Sequence, residues 1–198
     1  KSAKVLSGDD PSRLLSISGD ISKFSFLQSL VTQVQHHYKG SIDILVNNSG
    51  GPPPGESTSI NDKAWKKAIE GNLMSVIRLC SMVLPGMKEK KWGRIINLTS
   101  TTAKEPGVNM SLSNVTRAGV VAYSKTLSQE VGQDGITVNN ILTGGCLTER
   151  FYSLVQKQLE KNGESMEQAI RRLAQNVPVG YFSNPDEFAQ IILFLASE

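Results

Sequence analysis

Apolar positions recur along the chain with two alternating periods. From Lys23 to Tyr38, Phe24, Leu27, Leu30, Val31 and Val34 follow three- and four-residue steps, the spacing of one helix face, and Gly40 stops the run. Ile42 to Val46 is a compact apolar run between Gly40 and Asn47-Asn48-Ser49-Gly50, which predicts a buried parallel strand. Before both, Arg13 to Ser18 reads as a short strand ending at Gly19-Asp20. After a Gly- and Pro-rich loop, Gly50 to Gly55, the spacing of Trp65, Ile69, Leu73, Val76 and Leu79 predicts one long helix from Asn61 to about Lys90. Gly93 to Leu98 is the next strand, Ser111 to Val131 a helix, and Ile136 to Leu142 a further strand. The remainder is mostly helical, and Asn184-Pro185-Asp186-Glu187 marks a helix start, with an N-cap, proline at N1 and an acid at N3.

Short apolar strands separated by helices predict an α/β fold of class Rossmann-like, a three-layer doubly wound parallel sheet. In such sheets ligands bind at the carboxyl ends of the strands, where this chain carries its Gly, Asn, Ser and Thr clusters.

Composition narrows the function. The 198 residues fit one domain, 39% hydrophobic and 20% charged, as in ordinary globular proteins. The net charge of +3 carries no basic stripe. Lys88, Lys90, Lys91 and Arg94 read as cations at a helix C-terminus, so no nucleic-acid partner is expected. Cys80 and Cys146 are far apart, in neither a disulfide framework nor a zinc motif. His36 and His37 point to different helix faces, so no metal site is expected. No apolar run approaches ~20 residues and Lys1 to Asp10 lacks a signal-peptide core, so neither membrane nor export is expected, and the compartment reads as cytoplasmic.

The motifs point further. Asn47-Asn48-Ser49-Gly50 after a strand resembles the Asn-Asn-Ala-Gly motif of the short-chain dehydrogenase/reductase family, 3-oxoacyl-[acyl-carrier-protein] reductase-like members included. Gly19-Asp20-Ile21 is similar to that family's Asp-Val/Leu element, Asn72 to the Asn of its long interface helix, and Gly93 through Ser100 to the strand ending in its catalytic Ser. Val138-Asn139 and Gly144 through Thr148 resemble the segment that reaches the nicotinamide, and Pro178-Val179-Gly180 with Asn184 to Ser197 the C-terminal stretch.

The resemblance implies an NAD(P)-dependent oxidoreductase moving hydride between nicotinamide and a small carbonyl or alcohol, built as a homodimer or homotetramer. Its cofactor site, for NAD or NADP, is Asp20, Ile21, Asn48, Ser49, Gly50, Arg117, Gly144 and Thr148, and its catalytic set Ser100, Asn72, Ser113 and Arg117. It also implies a chain that opens in the helix before the family's third strand and stops short of its last one, without the Gly-rich phosphate loop.

Three positions depart from the pattern. Thirteen residues after Ser100, where the family has Tyr, stands Ser113; four further on, where it has Lys, stands Arg117; and Thr143-Gly144 replaces Pro-Gly. A serine hydroxyl is a poor acid near neutrality and an arginine cannot release its proton, so the proton relay is altered. Water held by Asn72 or Asn114, or Tyr152 or Tyr181, are the candidate replacement donors, whereas Tyr123 lies on another face of its helix. The alternative is a catalytically degenerate, dinucleotide-binding regulatory or structural subunit. Two further readings stay open. Thr148 is a nicotinamide ligand or a helix N-cap, and residues 149–182 are a substrate lid or peripheral packing.

Overall fold

The computed structural model describes residues 13–198. The chain divides into two compact units, the first ending at Leu142 and the second running Thr143–Glu198. Lys1 to Asp10 and the expected opening helix lie outside the described residues.

The first unit is α/β. Its elements are α1 (Phe24–Tyr38), β1 (Ile44–Asn47), α2 (Asp62–Ile69), a π-helical turn (Glu70–Met74), α3 (Ser75–Lys90), β2 (Gly93–Leu98), α4 (Ser111–Val131) and β3 (Ile136–Ile141). The strands form a parallel sheet in the order β1-β2-β3, with Ile44 level with Arg94 and Gly93 level with Ile136. Parallel neighbours need crossovers, and the helices that follow β1 and β2 supply them. Helix α3 packs on β1 and β2, α4 on β3, and α1 on α3. Val76, Cys80, Val83 and Met87 of α3 meet Ile95, Val120, Leu127, Val131 and Ile136 in one core cluster.

The helix containing Asp62–Lys90 is, among the described residues, the one helix long and apolar enough to cross a membrane by length and composition. Burial of its apolar stripe against the strands makes it the core helix of a sheet layer.

Three sequence expectations need correction. Arg13 to Ser18 is no strand. A strand needs a ladder partner, and here the Tyr38 hydroxyl takes that place, accepting from Leu15 N–H at 3.1 Å and donating to the Arg13 carbonyl at 3.0 Å. The first sheet strand is Ile44–Asn47 and it is not buried: Ile44 is 43% and Val46 41% exposed, because β1 is an edge strand among the described residues. Finally, the long helix is interrupted by the π-helical turn at Glu70–Met74, one residue more than the 3.6-residue spacing foresees.

The basic stretch behaves as a helix C-terminus. Lys91 ends α3 in the left-handed region, and Lys88 and Lys91 both face Asp134, at 3.9 and 2.5 Å. The Lys91 hydrogen bond first, then the charges of Lys91 and Lys88, holds the Asp134 carboxyl below its ordinary value. A depressed folded-state pKa stabilises the fold above the unfolded carboxyl's ~3.9, and that stability is lost as pH falls through the folded value. The thermal midpoint of the natural protein is therefore expected to fall more between pH 6 and pH 3 than that of Asp134→Asn. Parallel curves for the two proteins would show that the pair contributes nothing.

The second unit holds α5 (Glu149–Asn162), α6 (Met166–Ala174) and α7 (Pro185–Ala196). A bridge between Cys146 and Ser183 and the Phe151–Phe182 ring contact at 4.8 Å fasten it. The expected start of α7 is present in full: Asn184 accepts from Glu187 N–H at 2.8 Å, and Glu187 accepts from Asn184 N–H at 3.0 Å.

Candidate active site

The carboxyl ends of β1 and β2 carry the site. β1 runs into Asn48-Ser49-Gly50, and β2 into Thr99-Ser100. The π-helical turn pushes Asn72 inward, and its side chain is buried. There Nδ2 donates to Ser49 Oγ at 3.0 Å and to the Gly50 carbonyl at 2.8 Å, which spends both amide hydrogens on the loop after β1. Asn72 is thus a fastener of that loop rather than a holder of water through its nitrogen.

Arg117 is buried on α4, 6% exposed. Its guanidinium donates to the Leu98 carbonyl at 3.0 Å and to the Ser49 carbonyl at 2.9 Å, joining the ends of β1 and β2. Ser113, one helical turn earlier, is also buried. Ser100 Oγ accepts from Thr102 N–H at 3.2 Å and from Thr102 Oγ1 at 3.0 Å, capping a short 3-10 turn. Those two bonds occupy its lone pairs and leave its own proton to be donated elsewhere.

Two loops wall this corner. Gly55 N–H donates to the Asn109 carbonyl at 2.8 Å, Gly55 bridges to Met110, and the Ser57 and Ser111 hydroxyls touch. The Gly-Pro loop is therefore tied to the loop that follows β2. Asn114 Nδ2 adds a bond to the Gly107 carbonyl at 2.9 Å.

Asp20 closes its own turn, accepting from Ser22 N–H at 2.9 Å and Ser22 Oγ at 2.7 Å, and those bonds hold its carboxyl below the ordinary value, the side-chain bond foremost. Ile21 follows in that turn. Gly144 and Thr148 belong to the second unit, where Thr148 is the N-cap of α5: it accepts from Phe151 N–H at 3.2 Å and donates to the Cys146 carbonyl at 3.3 Å.

Burial first, then the charge of Cys80, pushes the Tyr123 phenol up to about 12, and burial likewise takes the Cys80 thiol to about 12. Neither exchanges a proton near neutrality. Tyr152 and Tyr181 are exposed in the second unit.

Sequence reasoning passed over three residues behind the site. Asn47, Asn97 and Ser124 are buried and bonded to one another. A signal was present: an Asn at or near the end of each of three apolar runs, Ile-Leu-Val-Asn, Ile-Ile-Asn-Leu and Val-Asn-Asn-Ile.

Comparisons with known proteins identify the family. The family model described as short chain dehydrogenase matches residues 2–159. The D-beta-hydroxybutyrate dehydrogenase of Cupriavidus necator is 34% identical over 180 residues, 90% of this chain and 69% of that protein. A putative ketoacyl reductase of Streptomyces coelicolor is 33% identical over 178 residues, 89% of this chain and 68% of that protein. Among solved structures, the L-sorbose reductase of Gluconobacter frateurii complexed with NADPH and L-sorbose superposes with a TM-score of 0.93 at 30% identity, over 100% of this chain and 75% of that one.

Proposed function

The chain belongs to the short chain dehydrogenase family, and on that premise we propose that it is an NAD(P)-dependent oxidoreductase acting on a carbonyl/alcohol pair through an altered proton relay. One observation carries this reading: Arg117 and Asn72 brace Ser49, Gly50 and Leu98 at the carboxyl ends of two parallel strands, the second of which runs on into Ser100. That corner, at the carboxyl ends of parallel strands, fits the nicotinamide-ribose half of a dinucleotide, and relatives crystallised with NADPH support the choice of ligand.

Asn48, Ser49, Gly50 and Arg117 would hold that half, and Asp20 and Ile21 the adenosine end. When bound, a dihydronicotinamide supplies hydride. Ser100 donates to the substrate oxygen. Arg117 stays charged throughout and adds a positive field where negative charge develops on that oxygen. Neither Ser113 nor Arg117 delivers a proton near neutral pH, so the proton comes from another donor.

The test uses the full-length protein, a fluorescence titration with NADH and NADPH, and absorbance of the reduced nicotinamide across a panel of alcohols and carbonyls. Saturable binding with turnover supports the proposal. Binding without turnover on any substrate would favour a degenerate dinucleotide-binding subunit, and absence of binding would sink both.

The same reading includes assembly as a homodimer or homotetramer through α2–α3 and α4. Ile69 and Val115 are exposed on those elements, 37% and 53%, where a monomer gains nothing from bare hydrocarbon. Val115→Lys is expected to convert the assembly to monomer in size-exclusion chromatography with light scattering. An unchanged mass would place the interface elsewhere.

A further inference from the structure

Three asparagines stand abreast in the sheet. Asn47 of β1 is in register with Asn97 of β2, and Asn97 with Asn140 of β3. Their side chains form a chain running one way. Asn47 Nδ2 donates to Asn97 Oδ1 at 2.7 Å, and Asn97 Nδ2 donates to Ser124 Oγ at 2.9 Å. The Ser124 hydroxyl is shared between Asn140 Oδ1 at 2.9 Å and the Val120 carbonyl at 2.6 Å. Ser124 is 0% and Asn97 1% exposed, so water cannot substitute for a missing link.

Arg117 precedes Ser124 by seven residues, two turns of helix, and therefore shares its face of α4. One face thus presents two polar rungs to the sheet. Ser124 links β2 to β3, and Arg117 links the end of β1 to the end of β2. The apolar contacts around them do not fix alignment on their own. A two-residue slip keeps every side chain on its own face of the sheet. The amides do fix it. The same slip would set Asn97 against Leu45 or Ser49 on one side and Val138 or Leu142 on the other, leaving a buried amide unpaired.

We propose that α4 is a register staple, with Ser124 and Arg117 as its rungs, and that Ser124 is a positioning residue for the site. The staple keeps the three strand ends level, and with them the starts of the segments that carry Ser49, two residues past Asn47, and Ser100, three past Asn97. It stands on the sheet geometry and holds whatever the substrate is.

Hydrogen exchange followed by NMR on the full-length protein tests it without cofactor. The reporter is the Thr99 amide, which donates to the Ile141 carbonyl at 2.8 Å just beyond the ladder. The amides of Val83 and Leu84 in α3 report global opening. Ser124→Ala is expected to speed Thr99 exchange by about tenfold or more relative to those two amides. Ser124→Thr, which keeps the hydroxyl, should restore the natural rate. Asn140→Ala breaks only the last link and should show the same selective effect if Ser124→Ala proves too unstable to study. Equal acceleration of all three amides would reduce Ser124 to a general contributor to stability and overturn the proposal. So would unchanged Thr99 exchange in Ser124→Ala and Asn140→Ala.

Discussion

Methionine in place of Arg117 is expected to destabilise the fold by about 2–4 kcal/mol and to weaken binding of NADPH by about tenfold or more. Two carbonyls depend on this one side chain, that of Leu98 at 3.0 Å and that of Ser49 at 2.9 Å. Methionine fills similar space and donates to neither, so two acceptors lose their partner at roughly 1–3 kcal/mol each. The start of the loop after β1 then loses its bond at the Ser49 carbonyl, and the wall of the site loosens.

Arg117→Lys separates geometry from charge. A single ammonium lacks the planar fork that reaches two carbonyls at once, so the loss should be intermediate. It also brings in a titrating group. Lysine is charged below its folded pKa, so nucleotide affinity of this variant should decline as pH rises through that value, below the usual ~10.4 because the site is buried. The natural protein should show no such limb, because arginine stays protonated. The measurements are urea denaturation for stability and fluorescence titration from pH 6 to pH 10 for affinity. Natural stability and natural affinity in Arg117→Met would mean that the two carbonyl bonds hold nothing together.

The second large effect concerns Gly135, the residue immediately before β3. Its φ is +69°, and a β-carbon there would lie 2.3 Å from the carbonyl oxygen of Lys91. Backbone cannot swing aside as a flexible side chain can, and Lys91 is itself held by Asp134 and by its place at the end of α3. Gly135→Ala therefore meets two costs. The left-handed conformation adds ~1–2 kcal/mol for a residue with a β-carbon, and the overlap adds ~1–3 kcal/mol while the turns before β2 and β3 are pushed apart. A loss of about 3 kcal/mol in urea denaturation is the expected result. A change below ~0.5 kcal/mol, the size of an ordinary surface substitution, would show that the two turns separate freely.

Much of this was legible in residue order. The alternation of apolar runs fixed the α/β class, because a short continuous run and a three-four spacing bury different shapes. α1, α4, β2 and β3 stand within a residue or so of their predicted bounds, and the capping box of α7 is exact, because caps depend on neighbours three residues apart. The motifs also led to Ser49, Gly50, Asn72, Ser100, Ser113 and Arg117, and hydrogen bonds draw the first three and Arg117 together.

Other features were decided only by distant parts of the chain. Arg13 to Ser18 has the composition of a strand, but strand formation needs a partner, and no local pattern records one. Ile44 and Val46 read as buried, yet burial depends on what stands at the sheet edge. The π-helical turn adds one residue to a spacing that sequence periodicity treats as continuous. Above all, the sequence marked Arg117 as a changed residue and left its task open. Its partners are carbonyls of residues 19 and 68 positions away, and backbone carbonyls carry no signature in a sequence. Only the folded sheet brings them within reach of one guanidinium, and only there does the Asn47, Asn97 and Asn140 row become a ladder.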